Sequence, residues 1–285
     1  MSTRAAIFKE VARRLGGYAG DISSGTATTA VLSGLINTTR DDNRFDSPPW
    51  LLWMLDASNE TDKERAVSSW DDSAGQATWV GSRSDTTYTS ETYIMVPPGC
   101  GTLQEWRDLL DDLLTNTRRN AWNVTKTVSD QLYYSLANLT NVRSHEDIIA
   151  VYRRNHTPAA NAGSFETCDF TANYLRYPVK YRVVFDDATP YLELRSALSA
   201  DQELVVVSRE PYSTPATDAT TTTMPDAVAV PGLLYYLARN VKPGVDRERW
   251  DRIEARSGRE YANASRMLTQ IPSPEPQRPV TVRGA

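Results

Sequence analysis

A chain of 285 residues with 40% hydrophobic content can bury a sizeable core and divide into one or two domains. Its formal charge of −5 and pI near 5.2 lack the basic excess with which proteins grip nucleic acid through counterion release, so tight DNA binding is not expected. A mildly acidic wall past which DNA slides is compatible with that balance. The mean hydropathy of −0.48 implies much solvated surface, or polar segments extending from a modest core.

Residues 2–15 read as a first helix capped by Ser2, with Ile7, Phe8, Val11 and Leu15 on one side and Gly16-Gly17 stopping it. Residues 21–98 change character. Short β-type runs at 26–32, 50–55, 65–70, 76–80 and 92–96 alternate with polar turns, and residues 70–76 form a hairpin tip. This spacing predicts a small sandwich or barrel inserted between two helices. Residues 102–119 form the clearest helix. Thr102 and Glu105 make a capping box, Leu103, Trp106, Leu110, Leu113 and Leu114 share one face, and Arg118 and Arg119 fall in the last turn. This helix is expected to be the spine of the molecule.

Alternation at 122–128 opens a second β-region, with strands expected at 133–142, 148–153, 179–185, 191–195 and 204–208. Residues 186–190 are the turn of a hairpin, and 156–170 an exposed loop. Residues 213–223, STPATDATTTT, read as a linker. A third helix opens at Asp226 or, given Pro231, at Val230. A fourth follows an Asp246 cap, with Trp250, Ile253, Ser257, Tyr261, Ala264 and Leu268 on one face. Gly258 costs that helix about 1 kcal/mol unless something packs closely there. The four prolines of residues 271–285 keep that segment extended, and Pro279 to Arg283 has strand composition. It reads either as a frayed terminus or as an arm that adds a strand to a neighbour's sheet.

Chemistry-bearing constellations are sparse. Cys100, Cys168, His145 and His156 match no zinc spacing, and free buried cysteines in a reducing cytosol are expected. No secretory leader or apolar run of roughly 18 residues is present, so no membrane partner is expected. Gly99-x-Gly101 is a turn feeding a helix cap and lacks a phosphate-loop lysine. The pairs Asp41-Asp42, Asp71-Asp72, Asp111-Asp112 and Asp186-Asp187 read as solvated surface. No nucleophile elbow or telling histidine partner appears. The chain is therefore expected not to be an enzyme, with no catalytic, cofactor-binding or metal-binding residue. Trp50, Trp53, Trp70 and Trp79 are expected mostly in the first β-module's core, with one or two at a subunit interface.

Three stretches carry a family resemblance. GTATTAVLSGL, RDDNRFDSPPWLLWMLD and ERAVSSWDDSAGQATWV together resemble a β-module of phage virion proteins. ELVVVSREPY followed by DAVAVPGLLYYLARNVKPGVDRERWDRI resembles the closing strand and helix pair of adaptors beneath a portal. The proline-rich tail resembles the arms such proteins send into a neighbouring ring. In this order of elements the chain resembles the head-to-tail connector (adaptor or neck) proteins of tailed bacteriophages, although it is longer than a minimal helical adaptor. The resemblance implies a virion protein assembled in host cytoplasm as a homo-oligomeric, dodecameric ring. The portal would lie above and a tail nozzle or tail-tube ring below, with packaged DNA passing through the channel without sequence-specific binding. It further implies a partner-binding arm at Arg278, Pro279, Val280, Thr281, Val282 and Arg283. A β-rich tail-tip or fibre component that binds a host surface glycan is the alternative.

The expected fold class is thus α+β. Residues 1–20, 99–121 and 226–270 would form a helical bundle (N-terminal, central and two C-terminal helices) as the adaptor core. Residues 21–98 would be an inserted small β-sandwich or barrel, 122–225 a second antiparallel β-region, and 271–285 an extended C-terminal arm.

Overall fold

A computed structural model of the chain describes residues 2–38, 44–85, 87–126, 128–136, 145–154, 177–186, 189–198, 203–240 and 247–269. Among them are four α-helices and fifteen strands in three antiparallel sheets of eight, three and four strands. The chain forms two compact units, one comprising Met1–Thr117 and Tyr212–Ser265, the other Arg118–Pro211 together with, of the described residues, 266–269.

In the first unit, helix α1 (Arg4–Arg14) leads into β1 (Tyr18–Asp21), β2 (Ser24–Thr26), β3 (Thr29–Val31), β4 (Leu51–Met54), β5 (Glu64–Asp71), β6 (Gln76–Trp79), β7 (Thr87–Tyr88) and β8 (Thr92–Val96). These strands make one sheet in the order β1-β8-β4-β5-β6-β3-β2-β7. The register of β5 against β6 shifts between Val67 and Ser69, and such a bulge bends a strand and raises its twist. The sheet accordingly curls until its two halves share a core. Leu52, Met54, Tyr93 and Met95 of one half meet Ala30, Ala77, Trp79 and Tyr88 of the other, with Phe45 and Trp70 between.

Residues one step along β4 and β8 point the other way, because strand side chains alternate. Trp53 and Ile94 are buried on that outer face. Helix α2 (Leu103–Asn116) covers it through its predicted stripe, and its Thr102–Glu105 capping box is present. Phe8, Trp53 and Trp106 meet there edge to face at centroid distances of 4.8–6.3 Å. The most enclosed helix is α3 (Asp226–Asn240), apolar almost all round, with Val228 to Leu234, Leu237 and Ala238 buried. It packs against α1 and α2. Helix α4 (Arg247–Thr269) lays Trp250 and Ser257 inward, and Gly258 is where Tyr235 approaches: a Cβ there would stand 3.1 Å from the Tyr235 ring.

The second unit contains β9 (Arg118–Lys126), β10 (Tyr133–Ser135), β11 (Ile148–Arg154), β12 (Tyr177–Pro178), β13 (Tyr181–Asp186), β14 (Thr189–Leu194) and β15 (Glu203–Pro211). Its sheets run β12-β11-β15-β9 and β10-β14-β13. Val151, Leu204 and Val206 of the first share a core with Tyr134, Leu192 and Leu194 of the second. The hairpin expected around residues 186–190 is β13–β14.

The expected helical bundle with a small inserted barrel is overturned: the fold is sheet-rich, and the helices form a layer on an eight-stranded sheet. The apolar stripe of α2 is spent on Trp53 of a strand and on α3 rather than on a self-contained bundle. Helix α3 buries more of its residues than α2, the helix expected to be the spine. Arg118 and Arg119 do not end α2 but begin β9, since Thr117 is already extended (φ −81°, ψ 126°). The cap of α1 is Thr3, whose hydroxyl accepts from the Ala6 N–H, while Ser2 donates to Asp226. Helix α3 starts at Asp226 despite Pro231, because the Pro225 carbonyl accepts from both Val228 and Ala229 and so forms the first turn. Of the strand expected at 133–142, β10 is the described part. The loop expected at 156–170, the Asp246 cap and the arm from 271 lie outside the described residues.

Candidate functional site

Arg278, Pro279, Val280, Thr281, Val282 and Arg283, the residues singled out for partner binding, lie outside the described residues, as do His156 and Cys168. Cys100 is free and buried, and burial pushes its thiol up to about 11. Among the described residues no group of three or more His, Cys, Asp or Glu could hold a metal ion, and no helix is long and apolar enough to cross a membrane.

Each sheet has two edge strands, and the outer edge of β1 is the one that a groove accompanies most closely. Among the described residues this strand pairs with β8 alone: Tyr18 faces Met95, Ala19 Ile94, Gly20 Tyr93 and Asp21 Thr92. The Ile22 N–H donates to the Glu91 carbonyl at 2.8 Å, and the Leu55 N–H takes Thr92 from the opposite side at 3.1 Å. Antiparallel pairing alternates, so Tyr18 and Gly20 direct their backbone groups to β8 while Ala19 and Asp21 direct theirs outward. Among the described residues nothing engages those outward groups.

A groove of about 370 Å³ runs along this edge, lined by Arg13, Gly17 to Asp21, Ser33 to Leu35 and Tyr93. Tyr93 is 2% exposed, and its ring crosses the edge over Gly20. A Cβ on Gly20 would come within 3.0 Å of the ring and 3.2 Å of its hydroxyl, so glycine is what lets the phenol reach the groove. No described residue pairs with that hydroxyl. Burial pushes its pKa up to about 12, with Asp21 adding to the rise and Arg13 opposing it, so the phenol is a hydrogen-bond donor at any physiological pH. The edge thus offers two outward N–H and two outward C=O groups, a phenol, one cation and one carboxylate. That set suits an extended backbone laid alongside. The sequence did not reveal it, because Tyr-Ala-Gly-Asp is short and carries glycine, which argues against a strand. The alternation of half-buried Tyr18 and buried Ile22 about Gly20 was the available signal.

Charge is concentrated in two interior networks. The segment 213–223, read as a linker, is instead pinned to the start of α1. Thr222 N–H donates to Ser2, Ala5 N–H to Asp218 and Arg4 N–H to Thr220. Buried Asp218 takes Arg107 in a two-pronged ion pair and lies 3.7 Å from Arg4 and 3.9 Å from Lys63. Arg4 also reaches Asp111 at 2.7 Å and the Pro215 carbonyl at 2.8 Å. Glu60 closes the group through Lys63 (2.6 Å) and Arg107 (2.7 Å), and its pKa is lowered, chiefly by the Lys63 hydrogen bond. Asp111 is therefore half-buried rather than fully solvated; desolvation raises its pKa against the pull of Arg4. Asp72, by contrast, is buried.

In the second network Arg83 is wholly enclosed. It forks onto Glu91 at 3.0 and 3.1 Å, reaches Asp85 and lies 3.8 Å over the Tyr88 ring. Every carboxylate in these networks faces a cation, which is an arrangement that holds loops to strands.

Of the tryptophans, Trp70 and Trp79 are in the curled sheet's core and Trp50 is half-buried against it. Trp53 is on the opposite face, under α1 and α2, rather than in the β-module's own core. Trp106 and Trp250 are also buried. No protein-family model matches the chain, and no curated protein matches it.

Proposed function

We propose that this chain is a structural component of a tailed-phage virion, a head-to-tail connector that associates with copies of itself in a dodecameric ring around the DNA exit channel. The portal would be its upper partner and a tail nozzle or tail-tube ring the lower one. The observation that carries this reading is the open edge of β1, with the outward backbone groups of Ala19 and Asp21 and a groove beside them. Open edges invite pairing with another chain, and natural proteins usually blunt or cover them. Head-to-tail contacts of this kind are heterologous and close into a ring when the rotation suits. The donor assigned to such contacts is the segment from Arg278 to Arg283, whose Val-Thr-Val composition favours an added strand. The order of elements in the sequence lends further support.

The glycan-binding alternative needs exposed tryptophans as stacking platforms. Trp53, Trp70, Trp79, Trp106 and Trp250 are buried, which disfavours it.

A chain truncated after residue 270 is expected to remain a folded monomer with the full chain's circular dichroism spectrum, and to fail to join purified portal rings in a mixing assay read by electron microscopy. Normal joining by the truncated chain would remove the arm from the mechanism.

A further inference from the structure

The net acidity of the chain hides a basic ridge on α4. This 23-residue helix carries six arginines against four carboxylates, while the whole chain carries −5. At 3.6 residues per turn, Arg252, Arg256, Arg259 and Asn263 fall within about 60° of one another around the helix axis, opposite the face that Trp250, Ser257 and Tyr261 turn inward. All four ridge residues are exposed, Arg252 by 73% and Arg256 by 79% of the side chain. From Arg252 to Asn263 the row runs roughly 16 Å at about 1.5 Å per residue.

On a helix surface an arginine pairs with a carboxylate three or four positions away where the sequence places one there. That pattern holds at the start of α4, where Arg252 meets Glu248 at 3.5 Å and Arg256 meets Glu260 at 2.9 Å. It then lapses. The positions three and four away from Arg259 are Arg256, Ala262, Ala255 and Asn263, and its Nε donates to the Ala255 carbonyl of its own helix. Glu260 is already shared with Arg14 at 3.3 Å. Pairs as exposed as these contribute little and exchange readily for a stronger anion.

We infer that this ridge is a contact surface for the phosphate backbone of double-stranded nucleic acid. Arginine's planar fork matches phosphate oxygens, and asparagine adds a neutral donor of the kind that contacts the backbone. A protein partner would look for aromatic anchors, and the exposed face has none, since Trp250 and Tyr261 are on the other side. A lipid surface would need an apolar face to insert, and beside inward-turned Trp250 the large apolar side chain that α4 exposes among the described residues is Met267, which is no face. Such contacts carry no sequence information, and the inference does not depend on the oligomeric reading above.

The test is fluorescence anisotropy of the full chain with two labelled duplexes of unrelated sequence, titrated with salt from low to moderate concentration. Both duplexes are expected to bind alike, with log K falling against log salt at a slope of about −2.7, as about three neutralised phosphates require. Arg256→Gln/Arg259→Gln, both positions being exposed, should keep the circular dichroism spectrum and reduce the slope by about 1.8. Arg256→Lys/Arg259→Lys, which retains both charges, should restore the slope. No binding at the lowest salt, an unchanged slope in the glutamine variant, or an acidic polypeptide displacing DNA at equal charge concentration would each overturn the inference. If DNA binds as described while the chain never self-associates, the ridge stands and the ring does not.

Discussion

Trp106→Ala is expected to destabilise the first unit by about 4–5 kcal/mol, the largest effect of any single substitution considered. Tryptophan-to-alanine changes in cores cost about 3–5 kcal/mol in lost transfer energy and cavity formation. Trp106 lies at the upper end because it is fully enclosed and makes edge-to-face contacts with Phe8 at 5.6 Å and Trp53 at 4.8 Å. Such pairs add about 0.5–1.5 kcal/mol each beyond burial. Its indole N–H also donates to the Cys100 carbonyl at 2.7 Å, which would lose its partner at the turn feeding α2. The melting temperature should fall by on the order of 10 °C. Trp106→Phe, which fills most of the space but drops the N–H, should fall between the two. A loss below about 1 kcal/mol for the alanine variant would mean that the helical layer does not bear on the sheet as described.

Asp218→Ala should cost about 3 kcal/mol, the low end of what removing one partner of a buried ion pair does. The substitution leaves the cationic ends of Arg4, Arg107 and Lys63 around an empty acceptor, though Arg4 keeps Asp111 and Arg107 keeps Glu60. Those remaining partners are why the upper end is not expected. Denaturation followed by tryptophan fluorescence suits the measurement, because Trp50, Trp53, Trp70, Trp79, Trp106 and Trp250 all belong to the first unit. A double-mutant cycle with Arg107→Ala should give a coupling above about 1 kcal/mol. Additive effects would instead assign Asp218 to the packing of the 213–223 segment.

What the residues disclosed depended on how local the cause was. The Thr102–Glu105 box and the apolar stripe of α2 are set within a few positions of sequence, and both were legible. So were β4, β6 and β8, whose apolar runs have clear turn boundaries. The misread features depend on distant neighbours. Arg118 and Arg119 look like helix-end cations, yet β9 finds its ladder in β15, about ninety residues away. Segment 213–223 lacks apolar anchors, and its order comes from Asp218 meeting Arg4 and Arg107. Pro231 argues for a later start to α3, and the enclosure of that helix on nearly every side overrides it. The candidate edge was the least legible of all, because an open edge is defined by a strand that is not there.

Sedimentation of the full chain beside Ala19→Pro puts the assembly reading to its most direct trial. Proline at this position removes an N–H that faces away from β8, so β1 keeps its ladder and the fold should melt as before, while a neighbour's strand loses a bond and meets a ring. The unaltered chain should sediment as a ring-sized species and the proline variant as a monomer. Rings formed equally well by both, or a parent chain that stays monomeric at high concentration, would contradict assembly through this edge.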